Sequence, residues 1–109
     1  MITLTLEYIV ENKDNLPIQP DKTTENIISI FNTKLSTDLL DYEHYQSTKF
    51  NLKKSENLPG ERHVNTSYVR KSFYKLIFAP LNVNTCLKTI HSIIADLDEK
   101  PNKIVINNE

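Results

Sequence analysis

The residues with the widest chemical reach lie in RKSFYKLIF, Arg70 to Phe78, where three cations and three aromatics fall within nine positions. Cations hold phosphate oxygens and aromatic rings stack on bases, so this composition points to a surface for single-stranded nucleic acid. A second group could move protons. His44 and His63 flank a lysine-bearing stretch with tyrosines nearby, and metal-free RNA cleavage needs a base near a 2′-hydroxyl and a cation near the developing charge. His91, at the border of an apolar helical stripe, reads as a structural histidine.

Other chemistries are narrowed by what the chain lacks. Asp38, Asp41 and Glu43 cluster, as do Asp96, Asp98 and Glu99, but neither set has a partner cluster at metal-ligand spacing, and both read as solvated surface. Cys86 is the only cysteine, so an intramolecular disulfide and a Cys/His metal cluster are both excluded. Gly60 is the only glycine, and phosphate-cradling loops need several positions without a Cβ, so neither a P-loop nor a dinucleotide fingerprint exists. The reading expects no cofactor and no metal. With no basic leader and no long apolar run, it also expects no membrane partner and a cytoplasmic, reducing location.

Charge is balanced overall, 13 basic against 14 acidic residues, but unevenly spread. From His44 to Lys75 there are seven cations (Lys49, Lys53, Lys54, Arg62, Arg70, Lys71 and Lys75) and two acids (Glu56 and Glu61), which leaves six cations and twelve acids for the remainder. A molecule with one positive flank can orient on a polyanion. Lysines on a projecting hairpin also keep an exposed edge soluble, and that explanation competes directly with the first.

These residues must be positioned by a small number of elements. At 109 residues the chain is read as one domain. Residues 2 to 10 alternate Ile2, Leu4, Leu6, Tyr8 and Val10 against Thr3, Thr5 and Glu7, the period of a half-buried strand. Asp21 or Thr23 is a candidate cap for a helix over 22 to 35 presenting Ile27, Ile28, Phe31 and Leu35. Residues 36 to 47 fit neither period, and helix, short helix and connection remain open there. Alternation returns at Thr48, Phe50 and Leu52, and a Pro-Gly turn at Pro59-Gly60 makes a basic hairpin around 48 to 68. Residues 62 to 79 exceed the ordinary strand length of roughly 3 to 10, so the reading divides or kinks them and places the better strand at 69 to 79. Val83, Leu87, Ile90, Ile94 and Leu97, widened by Cys86 and Ile93, form a helical stripe capped at Asn82 or Asn84. Pro101 follows it, and Lys103 to Asn107 is a final strand.

The order strand, helix, strand, strand, helix, strand is that of the α+β ferredoxin-like β-α-β-β-α-β sandwich, an antiparallel sheet with two helices on one face and the other face open. KSFYKLIF, Lys71 to Phe78, resembles the third-strand octet of RNA-recognition motif domains at Lys71, Phe73, Leu76 and Phe78. Ser72, Tyr74 and Lys75 depart from that pattern. The resemblance implies that Phe73 stacks a base while Lys71, Lys75 and Arg70 hold phosphates. The histidines with Lys and Tyr on this scaffold are similar to metal-independent ribonucleases such as the CRISPR RNA-processing enzymes. The small CRISPR-associated and VapD-like nucleases share the topology, but the Asp they place near the end of the first strand has no match in LEYIVEN.

Three functions follow as expectations. The first is binding of single-stranded RNA by the open sheet face and hairpin, through Lys49, Lys53, Lys54, Arg62, Arg70, Lys71, Phe73 and Lys75. The second is docking on a protein partner or as a homodimer, as a phage or plasmid inhibitor, an immunity protein or an assembly subunit would. A metal-independent ribonuclease is the third.

Overall fold

In the computed structural model, residues 1–12, 23–54 and 64–109 are described. The elements run β1 (Ile2–Asn12), α1 (Thr23–Lys34), β2 (Leu39–Lys54), β3 (Val64–Phe78), α2 (Val83–Asp96) and β4 (Lys103–Asn108). The strands form one antiparallel sheet in the order β2-β3-β1-β4. The protein is therefore α+β, with a four-stranded antiparallel sheet and two helices.

One face of the sheet carries the core. Even-numbered residues of β1 and β3 meet across the ladder, Ile2 with Phe78, Leu4 with Leu76, Leu6 with Tyr74. Strand alternation puts all of them on one side. Ile27, Phe31 and Leu35 from the first helical segment, with Cys86, Ile90, Ile93, Ile94 and Leu97 from the second, join them in a single buried cluster. Both helices thus pack on the same face, and the odd-numbered residues are left on the other. Tyr8 lies in the core, as its parity implies.

Two sequence expectations change. Of the segment left open at 36 to 47, residues 36–38 form a turn and the rest belongs to β2, whose backbone stays extended from Leu39 to Lys54 apart from a register shift between Leu39 and Asp41. Residues 64 to 78 form one unbroken 15-residue strand, where the sequence reading divides or kinks them. The cause is mutual support. Each rung of β3 from Phe78 to Val64 is paired to β2, so neither strand depends on local propensity alone. The hairpin is accordingly longer than the 48 to 68 expected, with rungs from Leu39 and Phe78 to Lys54 and Val64; the turn expected at Pro59-Gly60 lies outside the described residues.

β1 ends opposite Tyr68, and beyond that point β2 and β3 pair only with each other. The hairpin therefore overruns the helices and central strand. The molecule measures 67 × 23 × 20 Å with a radius of gyration of 18.7 Å, well above the ~13 Å expected of a compact domain of this length.

Candidate interaction face and edge

The open face is built from three long strands whose odd-numbered residues align. Phe73 of β3 stands opposite Tyr45 of β2 and Glu7 of β1, with Lys75 opposite Glu43 and Lys71 opposite Ser47. The two rings are stacked, with centroids 4.9 Å apart and planes 16° from parallel. Phe73, expected to offer a free stacking ring, already has one face covered. Tyr45 was missed because it falls in the segment with no assigned period.

The expected cations divide by position. Lys71 and Lys75 do point to the open face, the first exposed and the second half-buried. Lys71 Nζ lies 3.9 Å from Glu7 Oε1, so part of its charge is already answered. Lys49 is exposed on the same face. Arg70 corrects the expectation: it is buried on the helix-bearing side, opposite Val10 and Thr48. Its even parity, shared with Tyr74, Leu76 and Phe78, excludes it from the open face. Lys53 and Lys54 occupy the last β2 rungs, opposite Asn65 and Val64, and Arg62 lies outside the described residues.

Among the residues whose side chains are described, the open face is consequently a mixed surface and not a cationic patch. Lys49, Lys71, Lys75 and Lys103 are interleaved there with Glu7, Glu11, Asp41 and Glu43, while Lys53, of the same parity, stands farther out on β2. Interleaved opposite charges at strand spacing cancel much of the field felt by a polyanion a Debye length away, about 8 to 10 Å.

The histidine pair is not assembled among the described residues. His44 stacks on Tyr74 at 4.6 Å on the core side of the sheet, and Tyr74 in turn meets Tyr8 edge-on at 5.7 Å. Lys71 and Lys75 project from the opposite face, so His44 shares no surface with them. His63 lies outside the described residues. No group of three or more His, Cys, Asp or Glu able to hold a metal occurs among the described residues, and no helix there is long and apolar enough to cross a membrane.

One further feature stands out beside the face. β2 closes one side of the sheet with sixteen residues, while β4 closes the other with six. Short edges resist unwanted pairing, and long ones invite it. Along β2 the side chains of Leu40, Tyr42 and Tyr45 are exposed at 64%, 52% and 49%. Tyr42 N–H donates to Asp41 Oδ1 at 2.8 Å, the local bond an amide can take where no further strand lies beside it. No family model, curated protein or solved structure matches the chain.

Proposed function

We propose that the protein is a protein-binding module on a ferredoxin-like scaffold, docking through the outer edge of β2. The element order and the sheet order β2-β3-β1-β4 support the scaffold reading. One observation carries the function: a sixteen-residue edge strand, with no proline and three exposed apolar side chains in its first half. Backbone groups on such an edge supply the affinity of strand addition, and alternate side chains supply its selectivity. An inhibitor, an immunity protein or an assembly subunit would use a surface of this kind.

Affinity capture from the source cells tests the reading, comparing wild type with a Leu40→Lys/Tyr42→Lys variant whose fold is verified by circular dichroism. A stoichiometric protein held by wild type and lost by the variant is expected. Equal retention by both, or retention of nucleic acid only, would overturn it.

The Tyr45–Phe73 stack favours one other reading. With Lys49, Lys71 and Lys75 on the same face, the pair could take a single-stranded base beside it, RNA being the expected strand. Matched charge makes this a stacking site with few phosphate contacts. About three contacts imply a log–log salt slope of about −2, shallower than an extended basic patch would give. Fluorescence anisotropy with labelled RNA and DNA oligomers decides it. Binding abolished by Tyr45→Ala with that slope would establish the site, and no binding at micromolar protein would remove it.

A further inference from the structure

The docking edge carries in its own sequence a description of what fits it; this inference rests on the docking reading above and names the partner. Charges on β2 divide about Tyr45, with Asp41 and Glu43 before it and Lys49, Lys53 and Lys54 after it. A parallel neighbour of the same sequence would set acid against acid and lysine against lysine, which destabilises cross-strand pairs. An antiparallel copy centred near Tyr45 reverses the polarity and sets the acidic stretch of each strand against Lys49 of the other, with Lys53 and Lys54 beyond it. Lysines on an edge ordinarily deter pairing. Here they deter every orientation but one.

The aromatic column gives the register. The 4.9 Å separation of the Tyr45 and Phe73 rings matches the ~4.8 Å spacing of neighbouring strands. The rings therefore stand side by side along the direction in which strands are added. Phe73 covers one face of Tyr45, and the other looks out over the edge, leaving the residue 49% exposed. The next ring in that column belongs to the next strand.

We propose that a second copy of this chain pairs its β2 antiparallel to the first about a two-fold axis at Tyr45, joining two four-stranded sheets into one continuous sheet. The axis is perpendicular to the sheet, so the helices of both copies lie on the same side and the open faces merge. Tyr45 meets Tyr45 and extends the stack to Phe73, Tyr45, Tyr45, Phe73. Lys49 stands opposite Asp41 of the second copy and diagonal to its Glu43, within reach of both carboxylates. The Tyr42 amide, now bonded to Asp41, passes to the second copy's backbone, which releases that carboxylate to Lys49. Exposed Leu40 and Tyr42 then lie at the seam, in register with Phe50 and Thr48 of the second copy.

Size-exclusion chromatography with light scattering, from about 1 to several hundred micromolar, reads the assembly directly. Wild type is expected to pass from monomer to dimer, and Lys49→Glu to weaken the dimer at least tenfold by facing Asp41 with a like charge. The Asp41→Lys/Lys49→Glu exchange restores it by reversing both partners. Tyr45→Cys fixes the register: oxidised glutathione should link it into a dimer that survives denaturation, whereas Lys103→Cys on the opposite edge should form no covalent dimer. The buried native Cys86 is out of reach in both. A monomer throughout the range, a Lys49→Glu dimer as tight as wild type, or a charge exchange without rescue overturns the proposal. A monomer that still captures a foreign protein through Leu40 and Tyr42 rejects the second copy while leaving the docking reading in place; a monomer that captures nothing ends both.

Discussion

Cys86 shows how one buried group records its surroundings. The thiol is enclosed in the core and donates toward the Asp38 carboxylate, and burial first, then that nearby charge, push its pKa from 9.0 up to about 11. A raised folded pKa means that the native state keeps a proton the unfolded chain releases. The contribution is full below pH 9.0 and is lost as pH climbs through about 11. The urea midpoint of wild type should therefore fall toward that of Cys86→Ala between about pH 8 and pH 11, and the native thiol should resist iodoacetamide until unfolded. His44 makes the complementary case. Its Nε2 is buried without a hydrogen-bond partner among the described residues, although the ring stacks well on Tyr74. His44→Phe keeps the stack and removes the unsatisfied nitrogen, so a gain of about 1 kcal/mol in urea denaturation is expected. Had this histidine been a base at the open face, the parity of Tyr74, its register partner, would have had to be odd.

Among the elements, α2 was the most legible. Its stripe of Val83, Cys86, Leu87, Ile90, Ile93, Ile94 and Leu97 is the buried or half-buried face observed, because every third or fourth residue is apolar and nothing competes with that period. Asn82, one of two candidate caps, accepts from Thr85 N–H at 3.1 Å. Asn82→Ala should cost about 1 kcal/mol, read as a lower denaturant midpoint with an unchanged slope. β2 was illegible over its first half for a physical reason. It is an edge strand with little helix cover and an irregularity at Leu40, so its core-side positions include exposed Tyr42 and half-buried His44, and the inside–outside contrast that sequence periodicity depends on is weak. β3 was misjudged by length, since a paired neighbour sustains an extension that propensity does not forecast. The candidate site followed the same division. Lys71, Phe73 and Lys75 share the odd parity of β3 and stand on the open face, whereas Tyr45, the ring that stacks on Phe73, lies on the strand whose period the sequence does not show.

At the scale of the whole molecule, folding redistributes the uneven charge of the sequence. Lys71 and Lys75 are brought beside carboxylates of β1 and early β2, as the Lys71–Glu7 contact and the Lys75–Glu43 rung show, so that part of a positive segment becomes a mixed surface, whereas Lys53 and Lys54 pair beyond the end of β1. A segment's net charge is therefore a poor guide to a surface assembled from four strands. The elongation is a firmer global property. Small-angle scattering at a dilution that keeps the chain monomeric should give a radius of gyration near 18.7 Å, and a value near ~13 Å would mean that the hairpin folds back on the body. The same hairpin accounts for the position of β2, carried outward by its pairing to β3 and left with a long free side.

The place of β1 governs the order of events when the chain is made. This strand precedes both of its neighbours, β3 and β4, in the chain, and Ile2 pairs with both Phe78 and Asn108. During most of synthesis an apolar strand waits with neither side satisfied, while the β2–β3 hairpin can close as soon as its own residues appear. Closure of the sheet thus waits for β3 and β4 to be made, and contacts of such high sequence separation make it slow. Until then β1 is the segment that a nascent-chain chaperone would most need to hold.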